Sequence, residues 1–266
     1  TIDGDAGNDI ILGDGGYIVR DNSRIVTWIR TTDAEHGGND AIDNAFDAGR
    51  DTIFGGTGND TIYGGDNDVS DDGAAELLVG DNGGIVLVGT QVIDPGTADE
   101  ITVNQNDVYT TDPAHGGVDV IRGGRGADLI LGGSGRTDAA GVDGDDITGG
   151  DADETADGGN DIILGDGGFV IRDENRVVTM IASRHDGFGG DDRIDWLDGN
   201  GGSEIILGGR GNDKINGGPG PDLDVLLGDG GRIDPLLIGQ FPLTLVGIDS
   251  SAPAGDPALE ADRILA

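Results

Sequence analysis

Gly55-Gly56-Thr57-Gly58-Asn59-Asp60-Thr61-Ile62-Tyr63 decides how the rest of the chain is read. Five of its first six residues are glycine, asparagine or aspartate, which is turn chemistry. The next three are β-prone, with Ile62 between two residues of the opposite face. The unit is a glycine-rich loop that delivers one carboxylate and then a three-residue strand with one inward aliphatic side chain. It recurs at nine-residue steps, from Asp51 to Asp60, from Asp119 to Asp128 and from Glu204 to Asp213. Fixed-period self-similarity of this kind marks a solenoid.

The residue types fit one chemistry. Glycine adopts positive φ without steric cost and lets backbones approach closely, so a six-residue loop can turn sharply and aim its carbonyl oxygens inward. An aspartate at the sixth position adds charge to those carbonyls. A hard cation such as calcium takes six to eight oxygen ligands of this type.

Composition bounds the alternatives. Glycine makes up 54 of 266 residues without a three-residue period, which excludes collagen. The net charge is −37, from 52 acidic and 15 basic residues. Such a polyanion would be disordered were its aliphatic residues not placed periodically. It is a poor match for nucleic acid, whose phosphates require a basic surface, and cations are its natural partners. Cysteine is absent, so metal ions rather than disulfides are the expected staples. No apolar run approaches the roughly 20 residues of a membrane-spanning helix, and direct membrane insertion is not expected. Thr1-Ile2-Asp3-Gly4-Asp5 already falls inside the repeat, so the sequence reads as cut from a longer protein.

A longer period overlies the short one. Leu12-Gly13-Asp14-Gly15-Gly16-Tyr17-Ile18-Val19-Arg20-Asp21 returns as Leu164-Gly165-Asp166-Gly167-Gly168-Phe169-Val170-Ile171-Arg172-Asp173. Related copies start at Gly80-Asp81-Asn82-Gly83-Gly84 and Gly228-Asp229-Gly230-Gly231. We expect repeat modules at 1–79, 80–164 and 165–227, and a partial module or cap at 228–266. Residues 17–20 and 24–29 flank the turn Asp21-Asn22-Ser23, which predicts a β-hairpin, and residues 169–172 and 176–181 repeat it. In the last stretch, interrupted by Pro235, Pro242, Pro253 and Pro257, short strands are expected at 236–238 and 243–248. Asp14, Asp81, Asp166 and Asp229 either bind metal or shape the turn into each hairpin.

Two acidic insertions, around Asp66–Gly73 and Asp151–Gly158, invite an EF-hand reading, but Val79 or Leu164 then stands where the bidentate glutamate belongs. Bulges from the solenoid are expected instead. His36, His115 and His185 stand a module apart, which argues against a shared zinc site. No His-Glu-x-x-His, Gly-x-Ser-x-Gly or Gly-x-x-x-x-Gly-Lys motif is present, and no enzymatic activity is expected.

The glycine pair, third glycine, aspartate and inward aliphatic together resemble the RTX, or haemolysin-type calcium-binding, nonapeptide family. The resemblance implies an all-β fold, a calcium-stabilised parallel β-roll or β-solenoid, interrupted here by inserted β-hairpins. Carried over by position, it implies calcium ligation by Asp9, Asp40, Asp51, Asp60, Asp119, Asp128, Asp161, Asp192, Asp213 and Asp224. Glu76 and Glu204 depart from the pattern in side-chain length, Asp145 lies in a degraded loop, and the loop to Asp224 is two residues longer. Core positions follow as Ile11, Ile42, Ile53, Ile62, Ile121, Ile130, Ile163, Ile194, Ile206, Ile215 and Leu226.

The resemblance also implies a bacterial protein secreted by a type I route, with multiple calcium ions as partners. The expected role is a structural or spacer segment of a large secreted or surface-attached adhesin-like protein, folding as it meets calcium outside the cell. A non-catalytic module of a secreted protease, lipase or epimerase is the second reading. The third is a fibre subunit that self-associates through exposed sheet ends. No cell-surface or matrix ligand can be named from these residues.

Overall fold

The structure is a computed structural model that describes residues 1–42, 49–65, 75–97, 100–135, 137–138, 141–150, 159–184, 187–195, 202–218, 224–236, 244–250 and 263–265. The two acidic insertions, His185, Trp196 and most of the proline-rich tail lie outside them. Every element is a β-strand, arranged in three main sheets. No helix among the described residues is long and apolar enough to cross a membrane.

Two of the sheets form the roll. The middle sheet is seven-stranded and parallel, in the order Ile10–Leu12, Thr52–Phe54, Leu77–Val79, Leu129–Gly133, Ile162–Asp166, Ile205–Gly209 and Val225–Asp229. The outer sheet runs Ala41–Ile42, Thr61–Tyr63, Val120–Arg122, Gly141–Thr148, Asp191–Ile194, Lys214–Asn216 and Arg263–Leu265, with Ile2 bridging onto Ile42 at its start. In both, spatial order follows chain order, because the chain winds from one sheet to the other and advances one strand spacing per turn. In-register pairing stacks like on like: Ile53 on Leu78, Leu78 on Ile130, Ile130 on Ile163, and across the roll Ile62 on Ile121. Every core position read from the nonapeptide lies in this column, which fills the space between the two sheets. Leu78 and Ile147 belong to it as well.

The hairpins do not hang from the roll as separate inserts. They pair with one another into a third, eight-stranded antiparallel sheet: Gly16–Arg20, Val26–Thr31, Gly83–Val86, Val108–Thr110, Gly168–Arg172, Val178–Ser183, Gly231–Leu236 and Thr244–Ser250. The two predicted hairpins form as expected, with second strands starting two residues later because Asp21 and Asp173 hold wider turns. Asp21 Oδ1 accepts the amides of Ser23 and Ile25, and Asp173 Oδ1 those of Asn175 and Val177. In the tail, Gly231–Leu236 pairs with Thr244–Ser250, which covers the strand expected at 243–248 from Thr244 on, while the strand expected at 236–238 lies, apart from Leu236, outside the described residues. A further hairpin, Gln91–Ile93 with Ile101–Val103, rises from the second module and packs on Trp28, Tyr109 and Phe169.

This third sheet covers the outer face of the middle one. A second core lies between them, with Phe54, Val79, Leu131, Leu164 and Leu207 on one side and Ile29, Ile85, Val108, Val170, Ile181 and Ile233 on the other. A strand buried on both faces reads as a continuous apolar run. Middle-sheet strands do so, as Ile-Ile-Leu, Leu-Leu-Val and Leu-Ile-Leu, whereas outer-sheet strands such as Thr-Ile-Tyr, Val-Ile-Arg and Lys-Ile-Asn flank the central isoleucine with at least one polar or charged residue.

Ile130 is fully buried in the middle of the isoleucine column, whereas Ile25 is 57% exposed on a hairpin. Ile130→Ala is expected to lower the stability of the calcium-loaded protein by about 3 kcal/mol, the usual cost of a cavity of that size. Ile25→Ala should change it by under about 0.5 kcal/mol. Denaturant titration of both variants checks the difference.

Candidate metal centre

Each turn of the roll has two loops, one at each edge, and each loop ends in its acidic residue. At the edge leading from the middle to the outer sheet these residues form a ladder. The backbone N–H of Asp40 donates to Asp60 Oδ1 at 2.7 Å, Asp60 to Asp119 at 2.8 Å, Asp119 to Asp145 at 2.8 Å, Asp145 to Asp192 at 2.6 Å and Asp192 to Asp213 at 2.9 Å. One carboxylate oxygen thus holds the amide of the equivalent residue one turn back. The opposite edge carries the second ladder, where Asp9 donates to Asp51 at 2.8 Å, Glu76 to Asp128 at 2.8 Å, Asp128 to Asp161 at 2.7 Å and Glu204 to Asp224 at 3.2 Å. Strand pairing closes the remaining steps, with Leu77 N–H on the Asp51 carbonyl and Ile205 N–H on that of Asp161.

All ten residues expected to ligate calcium therefore stand on one or other ladder, Asp51 and Asp60 at opposite edges of one turn. The structure adds Glu76, Glu204 and Asp145. Their signal was the acid two residues before an inward aliphatic, here Leu78, Ile206 and Ile147. A third element escaped the sequence reading. Asparagine recurs just before the acid, and its side chain ties successive turns in the opposite sense: Asn59 N–H donates to Asn39 Oδ1, Arg50 N–H to Asn8 Oδ1 and Ser203 N–H to Asn160 Oδ1.

Where one oxygen of a ladder aspartate holds an amide, the other is in several cases poorly served. Oδ2 of Asp9, Asp60, Asp119, Asp145 and Asp192 is buried without a hydrogen-bond partner. Each lies against the first glycine of a loop and, for all but Asp9, beside the carbonyl of the matching glycine one turn on. A Cβ on Gly55 would collide with Asp60 Oδ2 and the Gly80 carbonyl; on Gly80, with Asp119 Oδ2 and the Gly132 carbonyl; on Gly165, with Asp192 Oδ2 and the Gly208 carbonyl. A carboxylate oxygen, stacked carbonyls and room that only glycine leaves make an oxygen-rich cradle for a hard cation. No three His, Cys, Asp or Glu side chains converge on one point among the described residues. Backbone carbonyls or water would complete a coordination sphere there.

Burial raises the carboxylate pKa values, because the charged form is the one that loses solvation. Asp60 is pushed up to about 7, mainly by burial and secondarily by Asp40 and Asp14. Asp145 is also raised to about 7 by burial. Asp119 lies well above the usual carboxylate range through burial and then the nearby Asp81, and Asp192 through burial and then Asp166.

Asp14, Asp81 and Asp166 have a bracing role. Each occupies the second position of a loop, beside the second glycine of the next turn. In the loops that do not open at that position the residue there is Gly56, Gly133 or Gly209, with φ of 105°, 120° and 110°. The three aspartates avoid that left-handed region, and there the chain leaves the loop to build a hairpin. It returns at the third position, as shown by Gly37 lying against Thr57. The hairpin is thus spliced into a nonapeptide loop. Asp14 then accepts the amides of Thr57 at 2.7 Å and Gly38 at 3.2 Å, Asp81 that of Ser134 at 2.6 Å, and Asp166 those of Gly190 and Arg210. Of the histidines, His36 pairs with Asp33 at 3.0 Å, while the His115 carbonyl accepts from Asn82 at 2.9 Å.

The family model for the RTX calcium-binding nonapeptide repeat matches residues 1–17, 47–69 and 114–136 and the overlapping spans 186–224 and 198–232. The chain carries RTX calcium-binding nonapeptide repeats, and its all-strand roll is the architecture those repeats form. Such repeats bind calcium, several ions along the array, and are a structural motif rather than a catalytic one. No curated protein and no solved structure matches the chain.

Cation binding must displace protons from the raised carboxylates. In the metal-free fold Asp60 holds its proton up to about pH 7, against the ordinary value of 3.8. For the folded metal-free form, with Asp60 as a ligand, calcium affinity would be full above about pH 7 and fall as pH drops below it, by roughly tenfold per pH unit for each proton displaced. Metal-free folding shifts the other way, since raised carboxylates oppose the fold most above pH 7 and the opposition fades toward 3.8. Calcium titrations at about pH 8 and about pH 5.5 should show the loss. Equal affinities at the two values would contradict it.

Proposed function

We propose that this chain is a calcium-dependent structural or spacer segment of a larger secreted or surface-attached bacterial repeat protein of the adhesin type, which folds when it meets calcium outside the cell. Asp9, Asp40, Asp51, Asp60, Asp119, Asp128, Asp161, Asp192, Asp213 and Asp224 are its calcium ligands, joined by Glu76, Asp145 and Glu204. The observation that carries this reading is the pair of continuous ladders of mostly buried carboxylates, one along each edge of the roll.

The mechanism is coupled binding and folding. Burying a carboxylate costs several kcal/mol unless its charge is compensated, and ordering glycine costs more backbone entropy than ordering any other residue. Aliphatic burial returns about 1.5–3 kcal/mol per large side chain, but each three-residue strand contributes only one such side chain to the roll interior. Without cations the ladders repel and the chain stays expanded, a form suited to export through a narrow channel. Calcium neutralises the edges, and the repeats lock turn against turn as neighbouring interfaces form. The hairpin-bearing modules at 1–79, 80–164 and 165–227, with the partial module at 228–266, are its units of length. Localisation outside the cell follows from the typical secretion of RTX repeat proteins and from millimolar calcium there.

Circular dichroism and thermal melting with chelator and with about 5 mM calcium test the proposal. The expected result is a largely unfolded spectrum in chelator and a cooperative strand-rich fold in calcium, with a melting temperature that rises with calcium concentration. The same spectrum and melting temperature in both conditions would overturn it.

A further inference from the structure

Where the middle sheet and the hairpin sheet splay apart, at the edge of the Asp51–Glu76–Asp128 ladder, there is a cleft of about 320 Å³. Its floor is apolar, formed by Leu77, Leu129 and Ile162 of the middle sheet and by Ile85, Leu87 and Val178 on the hairpin side. Three guanidinium groups line it: Arg50 from a nonapeptide loop, and Arg172 and Arg176 from the tip of the third hairpin. In a chain with 15 basic residues against 52 acidic ones, this cleft sets three arginines against the three ladder acids Asp51, Glu76 and Asp128 that also line it, and calcium on those acids would leave the arginines in excess.

Among the described residues none of the three forms an ion pair with a carboxylate, although Asp107 lies near enough to Arg172 to act on its charge. Elsewhere Arg30 and Arg184 pair with Asp94, and Arg122 with Asp146. Arg50 spends its Nε on the Ala75 carbonyl at 2.8 Å. Arg172 Nε is buried with no hydrogen-bond partner. Burial, and then the like charges of Arg50 and Arg176, lower the Arg172 pKa to about 10. The first hairpin repeats the tip as Arg20-Asp21-Asn22-Ser23-Arg24. Its strand lies at the sheet edge, where Arg20 and Arg24 are exposed.

We propose that this cleft is a binding site for an organic anion, whose carboxylate or sulfate group is held by Arg50, Arg172 and Arg176 and whose body rests on the apolar floor. Guanidinium donors in a planar fork match such oxyanions, and the partly water-excluded setting strengthens each contact. Asp51, Glu76 and Asp128 line the same cleft, so the site rests on the reading that calcium neutralises the ladder; the arginine variants, compared in the calcium-loaded protein, test the anion site apart from that reading.

Calorimetric titration of the calcium-loaded protein tests the proposal, with sodium glucuronate, sodium acetate and sodium sulfate as probes and uncharged glucose as control. Saturable binding of at least one anion and none of glucose is expected. Affinity should fall about tenfold or more in Arg172→Gln and severalfold in Arg176→Gln, but stay unchanged in Arg24→Gln. If Arg172→Gln fails to give the wild-type spectrum, Arg50→Gln and Arg176→Gln carry the comparison. Binding of glucuronate alone would mark an organic ligand, and equal binding of sulfate would place recognition in the oxyanion itself. No saturable binding of any anion, or wild-type affinity in the Arg172, Arg50 and Arg176 variants, would overturn the proposal.

Discussion

One contact repeats through this molecule and the rest depends on it: an aspartate oxygen accepting the backbone amide of its counterpart one turn back. It does three things. It fixes the spacing of successive turns, it keeps the loops in register so that isoleucine stacks on isoleucine, and it leaves the second carboxylate oxygen facing glycine carbonyls. The contact is also costly, because it draws a file of like charges out of water. Burial alone would leave Asp60 and Asp145 holding protons near neutral pH. On the proposed reading, a divalent cation at each edge would resolve the conflict between register and repulsion, and so couple the fold to calcium.

The hairpins add a second structural principle to the roll. Every second loop on one edge opens at its second position, where glycine gives way to Asp14, Asp81 or Asp166, and releases a hairpin. The aspartate closes the gap by taking amides from the loop it interrupts and from the next turn. The released hairpins would each be marginal alone. Side by side they form a sheet that buries Phe54, Leu131, Leu164 and Leu207, giving the middle sheet a core on both faces. A plain roll has only a thin column of aliphatic side chains. This one has two cores, and its stability between calcium sites rests on both.

Much of this was legible in the residues. The nonapeptide showed the loop, the acid and the inward isoleucine, and ladder geometry follows from repeating that unit. The Gly-Asp-Gly-Gly copies located the hairpins. What could not be read was where the hairpins go, because that depends on pairing between distant segments, such as Ile29 with Ile85 and Val108 with Val170. Nothing local in Tyr17–Arg20 distinguishes a free ribbon from one strand of an eight-stranded sheet. A trace was present in the middle-sheet strands, whose flanking residues are leucine, valine and phenylalanine where the outer-sheet strands have threonine, arginine and lysine. Glu76, Asp145 and Glu204 were obscured for another reason, since their loops depart from the motif while the backbone still delivers them to the ladder.

Crystallography in calcium, with the ions located by their anomalous scattering, tests the central claim most directly. The account predicts calcium along both edges of the roll, between successive turns, each ion bound by a ladder carboxylate oxygen together with glycine carbonyls such as those of Gly80, Gly132 and Gly208. Ions confined to the solvent-facing acids, or ladders that remain metal-free in calcium-grown crystals, would contradict it.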